Sequence, residues 1–72
     1  MAVTEARIRR TISGMSIKEL AGSIGMNETM LSNFEKGRVA LPQKWHFQLA
    51  EALGVQKEEI LDKGGLPKFI EQ

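Results

Sequence analysis

Residues 16–37, SIKELAGSIGMNETMLSNFEKG, confine this chain more than any other stretch, because they write two short amphipathic helices on either side of one glycine. In the first, Ile17, Leu20, Ala21 and Ile24 fall at i, i+3, i+4 and i+7, one face of a period of about 3.6 residues. Ser16 ahead of it and Glu19 three residues on form a capping box. Gly25 takes the left-handed conformation that ends a helix without strain. Asn27 is a good N-cap for the second helix, whose apolar set reads Met26, Met30, Leu31 and Phe34, with Gly37 as C-cap. The turn between them is about three residues long. A turn that short makes the helices cross steeply, so the second can project from the surface as a probe.

The second helix leaves a distinctive face uncovered. Thr29, Ser32, Asn33 and Lys36 recur at i, i+3, i+4 and i+7, opposite Leu31 and Phe34. Three of them are short hydrogen-bonding residues and the fourth is a cation. A merely solvated face is usually rich in Glu and Lys, whereas short polar groups suit close approach to another surface. Composition alone leaves both readings open.

These residues carry a resemblance. Ser16-Ile17-Lys18-Glu19-Leu20-Ala21, then Gly25, then Leu31-Ser32-Asn33-Phe34-Glu35-Lys36-Gly37 resemble the phage-repressor/Cro-type helix-turn-helix (XRE) family. Leu49-Ala50-Glu51-Ala52-Leu53-Gly54-Val55 and Ile60-Leu61 extend the likeness over about residues 6 to 62. It implies an all-α fold, a compact five-helix lambda-repressor-like bundle, and double-stranded DNA as partner. Helix 28–36 would enter the major groove, where base edges present distinct donor and acceptor patterns.

By that resemblance Glu28, Thr29, Ser32 and Asn33 are the base-reading set. Asn33 suits the N6 and N7 of adenine, Thr29 adds a methyl for thymine, and Glu28 can accept from the cytosine amino group although it repels phosphates. Lys18, Lys36, Arg38 and Lys44 are the phosphate candidates, positioning without reading sequence. Asn27 caps the helix and can add a phosphate contact. One departure stands out: the family often opens the first motif helix with a polar residue that contacts the backbone, and here that position is Ile17.

Composition limits the alternatives. Seventy-two residues make one small domain, marginal unless it packs well or oligomerises. With no Cys and one His, neither a disulfide framework nor a thiolate or histidine-rich metal site is available. No cofactor is implied. There is no nucleophile-base constellation and no glycine-rich phosphate loop, so an enzyme is not expected. No apolar run approaches the roughly 18 residues of a membrane span, and MAVTEARIRR lacks a signal core. The expectation is a cytoplasmic protein.

The formal net charge of +1 hides an asymmetry. Arg7, Arg9, Arg10, Lys18, Lys36, Arg38 and Lys44 outweigh Glu5, Glu19, Glu28 and Glu35 in residues 1–45, whereas residues 46–72 are net acidic. The positive half holds the helix-turn-helix, which fits a partner bearing phosphates.

Outside the motif, a first helix over residues 4–13 with Thr4 as cap has two registers. Either Ile8 and Ile12 face the core and Arg10 is solvated, or Arg10 matches the family arginine that pairs with the glutamate ending the reading helix, here Glu35. Pro42 stops the loop after Gly37. A fourth helix over residues 43–53 buries Trp45, Leu49, Ala52 and Leu53, with His46 interfacial and Phe47 either core or an exposed anchor. Gly54 caps it, and a last helix over residues 57–62 turns Ile60 and Leu61 inward. Leu66, Phe69 and Ile70 then bring apolar residues into a tail that folds back, pairs with a copy, or stays disordered.

The domain division expected is thus 1–62 for DNA binding and 63–72 for a tail contributing to a dimer interface. A single copy with few cations is expected to bind weakly, so a homodimer is anticipated through Phe47, Val55, Leu61, Leu66, Phe69 and Ile70. The function anticipated is a sequence-specific transcriptional regulator, a repressor first. The alternatives are a protein-interaction module on the same fold and the antitoxin of a toxin–antitoxin pair.

Overall fold

The computed structural model describes residues 3–70, and the outermost residues of the two expected segments, 1–2 and 71–72, lie outside them. Helix α1 (Glu5–Ile12) starts at Thr4, whose hydroxyl accepts from Arg7 N at 3.3 Å and donates to the Glu35 carbonyl at 2.7 Å. A buried hydroxyl engaged on both sides meets the requirement that polar groups removed from water be hydrogen-bonded. Of the two registers, the structure adopts the one with the arginine inward. Ile12 is 76% exposed and Ile8 half-buried, while Arg10 turns under the bundle to Glu35. Ile12 is the last residue of its helix, ahead of a turn at Gly14, and has no packed neighbour to recruit it inward.

Helix α2 (Ile17–Ile24) forms as its signals require. Ser16 Oγ accepts from Glu19 N at 3.1 Å, and Glu19 returns the bond from Ser16 N at 3.0 Å. Leu20 and Ala21 are buried, and Ile17 and Ile24 pack half-buried against the core. Gly25, at φ 73°, closes the helix, and Gly25-Met26-Asn27 makes the three-residue turn. Helix α3 (Glu28–Glu35) follows, capped by Asn27 Oδ1, which accepts from Thr29 N and Met30 N. Leu31 and Phe34 are fully buried. Met30 is not: it is 36% exposed. The expected apolar set treated Met26 and Met30 as one face, but Met26 precedes the N-cap and is buried as a turn residue, so its phase does not carry into the helix.

The fourth helix begins differently from expectation. Gln43–Trp45 is a 3-10 turn, and helix α4 runs His46–Leu53. Tighter winding over the first three residues shifts the following face. Leu49, Ala50 and Leu53 are buried, while Trp45 and Ala52 are only half so. Helix α5 (Lys57–Ile60) stops two residues early because Leu61 is extended, at φ −131° and ψ 146°, and bridges to Pro67. Asp62 then accepts from Gly64 N at 2.9 Å and Leu66 N at 3.0 Å, turning the chain back.

The tail therefore folds onto the domain. Strand β1 (Val3–Thr4) pairs antiparallel with β2 (Phe69–Ile70), Val3 opposite Ile70 and Thr4 opposite Phe69. Glu5 N donates to Lys68 O at 2.8 Å and Lys68 N to Ile60 O at 2.9 Å. The Phe69 ring lies against Gly37, where φ is 79° and any Cβ would run into it. These two short strands are a minor addition to a fold that is otherwise five α-helices among the described residues. One core, containing Ala6, Leu20, Leu31, Phe34, Leu49 and Ile60, draws on all five.

Candidate nucleic-acid interface

The reading face is built from the inside out. Leu31 and Phe34 anchor α3 from one side, and its last residue, Glu35, is 4% exposed and held by Arg10. Arg10 Nε donates to Glu35 Oε2 at 2.8 Å, Nη2 to Oε1 at 3.0 Å, and Nη1 to the Met15 carbonyl at 2.9 Å. This fork ties α1, the loop before α2 and the end of α3 into one unit. Bidentate guanidinium–carboxylate geometry fixes orientation as well as contributing energy. The helix is thus held mainly by side chains on its inner arc, and its outer arc is the more exposed one.

On that outer arc Glu28, Thr29 and Lys36 are exposed, and Ser32 and Asn33 are half-buried. All five expected residues share α3 or its C-terminal cap. Asn27 stands at the opposite end with its carbonyl oxygen used by two amides, which leaves its amide N–H groups to donate elsewhere. Arg38 is exposed one residue beyond Gly37, its backbone N donating to Asn33 O at 2.9 Å, so its position is fixed to α3.

The other two cations sit in different settings. Lys18 is exposed in the first turn of α2, where the amide of Glu19 is already taken by Ser16. The Ser16 amide, then the Ser16 hydroxyl, hold the Glu19 carboxyl below its ordinary pKa. An ionised carboxylate at that helix end offsets part of the positive field an anion would feel. Ile17 packs against the core, and Lys18 beside it is exposed. Lys44 lies 5.3 Å from the centroid of the Trp45 ring, a cation–π contact that keeps its ammonium close to the 3-10 turn.

The residues expected at a dimer surface divide. Phe47 is 69% exposed, Leu66 and Phe69 are exposed, and Val55 and Ile70 are half-buried. Leu61 is turned inward as the last helix required, and its place at the dimer surface is a correction: at 4% exposed it belongs to the core, while its backbone bridges to Pro67. It has no surface to offer a second copy.

His46 is half-buried and structural. Its Nε2 lies 2.7 Å from the Leu41 carbonyl, and since a carbonyl only accepts, that nitrogen carries the proton. The contact closes the loop after Gly37, which is also joined to the tail by Leu41 N donating to Gly65 O at 2.8 Å. The sequence gives no sign of the Leu41–Gly65 link, since its partners are far apart in the chain, and the His46–Leu41 contact, although only five residues long, depends on the irregular loop between them. Sequence reasoning also missed Met30 at the edge of the reading face, although Asn27 as N-cap restarts the helical count and so carried the signal. Among the described residues no cluster of His, Asp and Glu is arranged to hold a metal, and no helix is long and apolar enough to cross a membrane.

A family model described as helix-turn-helix matches residues 7–60. No curated protein and no solved structure matches the chain.

Proposed function

The chain belongs to the phage-repressor/Cro-type helix-turn-helix (XRE) family of DNA-binding transcription regulators, and from that premise we propose that it is a sequence-specific repressor reading the major groove with α3. The observation that carries the reading is the division of that helix: Leu31 and Phe34 fully buried on one arc, Thr29 and Lys36 exposed on the other. In this proposal Asn33 pairs with adenine, Glu28 with the cytosine amino group, and Thr29 and Ser32 complete the base contacts. Lys18, Asn27, Lys36, Arg38 and Lys44 hold phosphates. Two copies associate through Phe47, Val55, Leu66, Phe69 and Ile70, and the protein works on DNA in the cytoplasm. The regulator of a toxin–antitoxin pair would use the same surface.

Selection from a random pool of duplexes tests this. The wild-type chain is expected to enrich a defined half-site, repeated in inverted order about one helical turn apart. Asn33→Ala is expected to lose preference at one position per half-site, by roughly 1–3 kcal/mol, with folding intact. Equal selectivity in the variant removes Asn33 from the reading set.

A second reading, a protein-interaction module on the same fold, draws support from the net charge of only +1, from Ile17 and from the exposed Phe47. The two differ in their response to salt.

A further inference from the structure

Among the described residues, six large hydrophobic side chains are exposed, and Met30 is the one that lies in α3. At about 100° per residue, it sits roughly 90° from the centre of the buried arc formed by Leu31, Phe34 and Glu35. That places it on the border of the reading face, one helical step from Asn33. Border positions on a solvated helix usually hold Lys, Arg or Gln, whose stems cover the core edge while a polar tip reaches water. Met30 has no such tip.

We infer that Met30 is a specificity-determining residue which meets the C5-methyl of a thymine beside the base contacted by Asn33. Three features of the residue point there. It is the third residue of α3 after the Asn27 cap, in the first turn, the part of a reading helix that approaches base edges. Its backbone N is held by Asn27 Oδ1 at 3.3 Å, so its side chain starts from a fixed position. The thymine methyl is the one apolar group that the base edges present in the major groove. An unbranched thioether adapts its shape to such a target without a polar group to desolvate. The inference rests on the regulator reading above, and it adds a preference for thymine that Glu28, Ser32 and Asn33 have no apolar surface to supply.

The experiment uses the full chain and duplexes enriched by it from a random pool, with each thymine replaced in turn by deoxyuridine, which removes the methyl alone. Wild-type affinity is expected to fall about fourfold at one position per half-site besides any thymine read by the Thr29 methyl, the effect of taking one methyl out of apolar contact. Met30→Ala is expected to bind the parent duplex about fourfold more weakly and to lose nothing further on methyl removal at that position. Met30→Leu, which keeps an apolar side chain of similar volume, retains the sensitivity. Thr29→Ser, which removes the other methyl of the face and keeps its hydroxyl, retains it too.

If the wild-type chain tolerates deoxyuridine everywhere, or Met30→Ala keeps the full methyl sensitivity, the assignment of Met30 is overturned while the regulator reading stands. If the wild-type chain enriches no sequence, both fall together.

Discussion

Glu35→Ala is expected to destabilise the fold by about 3–5 kcal/mol, the range for removing one partner of a buried ion pair. The Glu35 carboxylate receives both Arg10 Nε and Nη2, and its removal strands a guanidinium whose side chain is only 15% exposed. The Thr4 hydroxyl bond is unaffected, since it goes to the Glu35 carbonyl. A small domain has about 5 kcal/mol in total to lose, so a urea titration is expected to find the variant largely unfolded without denaturant. The double variant Arg10→Met with Glu35→Leu, which removes both charges together, is expected to recover most of the loss. A single-variant loss under 1 kcal/mol would mean that the pair closes in the structure without carrying stability.

DNA affinity is expected to fall about a hundredfold between 50 and 200 mM salt for each bound domain. With the four proposed phosphate contacts, Lys18, Lys36, Arg38 and Lys44, the release of condensed counterions is expected to give a log–log slope of about −3.6. Arg38→Ala is expected to flatten that slope by about 0.9, because Arg38 is exposed on a backbone fixed to α3. Fluorescence anisotropy on an enriched duplex measures both. A protein-interaction module binding a protein partner through Phe47 and its apolar neighbours would form no such duplex complex even at low salt, and its own association would barely change with salt, since apolar burial is not screened. Absence of a salt-sensitive duplex complex therefore favours that second reading.

The helix-turn-helix was readable because its signals are local. Ser16 with Glu19, Gly25 and Asn27 each act within four residues of the helix end they set, and the structure reproduces all of them. The outward placement of Thr29 and Lys36 follows from the same helical phase. What escaped depends on residues distant in sequence. The register of α1 is decided by Glu35, 25 residues from Arg10. The early end of α5 coincides with the Leu61–Pro67 bridge, and the tail is placed by that bridge, by Lys68 on Ile60 and by the edge that β1 offers to Phe69 and Ile70. The inward direction of Leu61 is legible from the helical pattern, and it is this that conflicts with a place for Leu61 in the dimer surface. Met30 is the exception, a local error in which a methionine before the cap was counted in the phase of the helix after it.

Amide chemical shifts of the labelled chain, titrated with an enriched duplex, locate the contact surface most directly. The largest changes are expected on residues 27–38 and on Lys18, with α5 and the Phe47 side of α4 nearly still. Changes concentrated on α5 and α4, with Thr29, Ser32 and Asn33 unmoved, would rule out α3 as the helix that meets DNA.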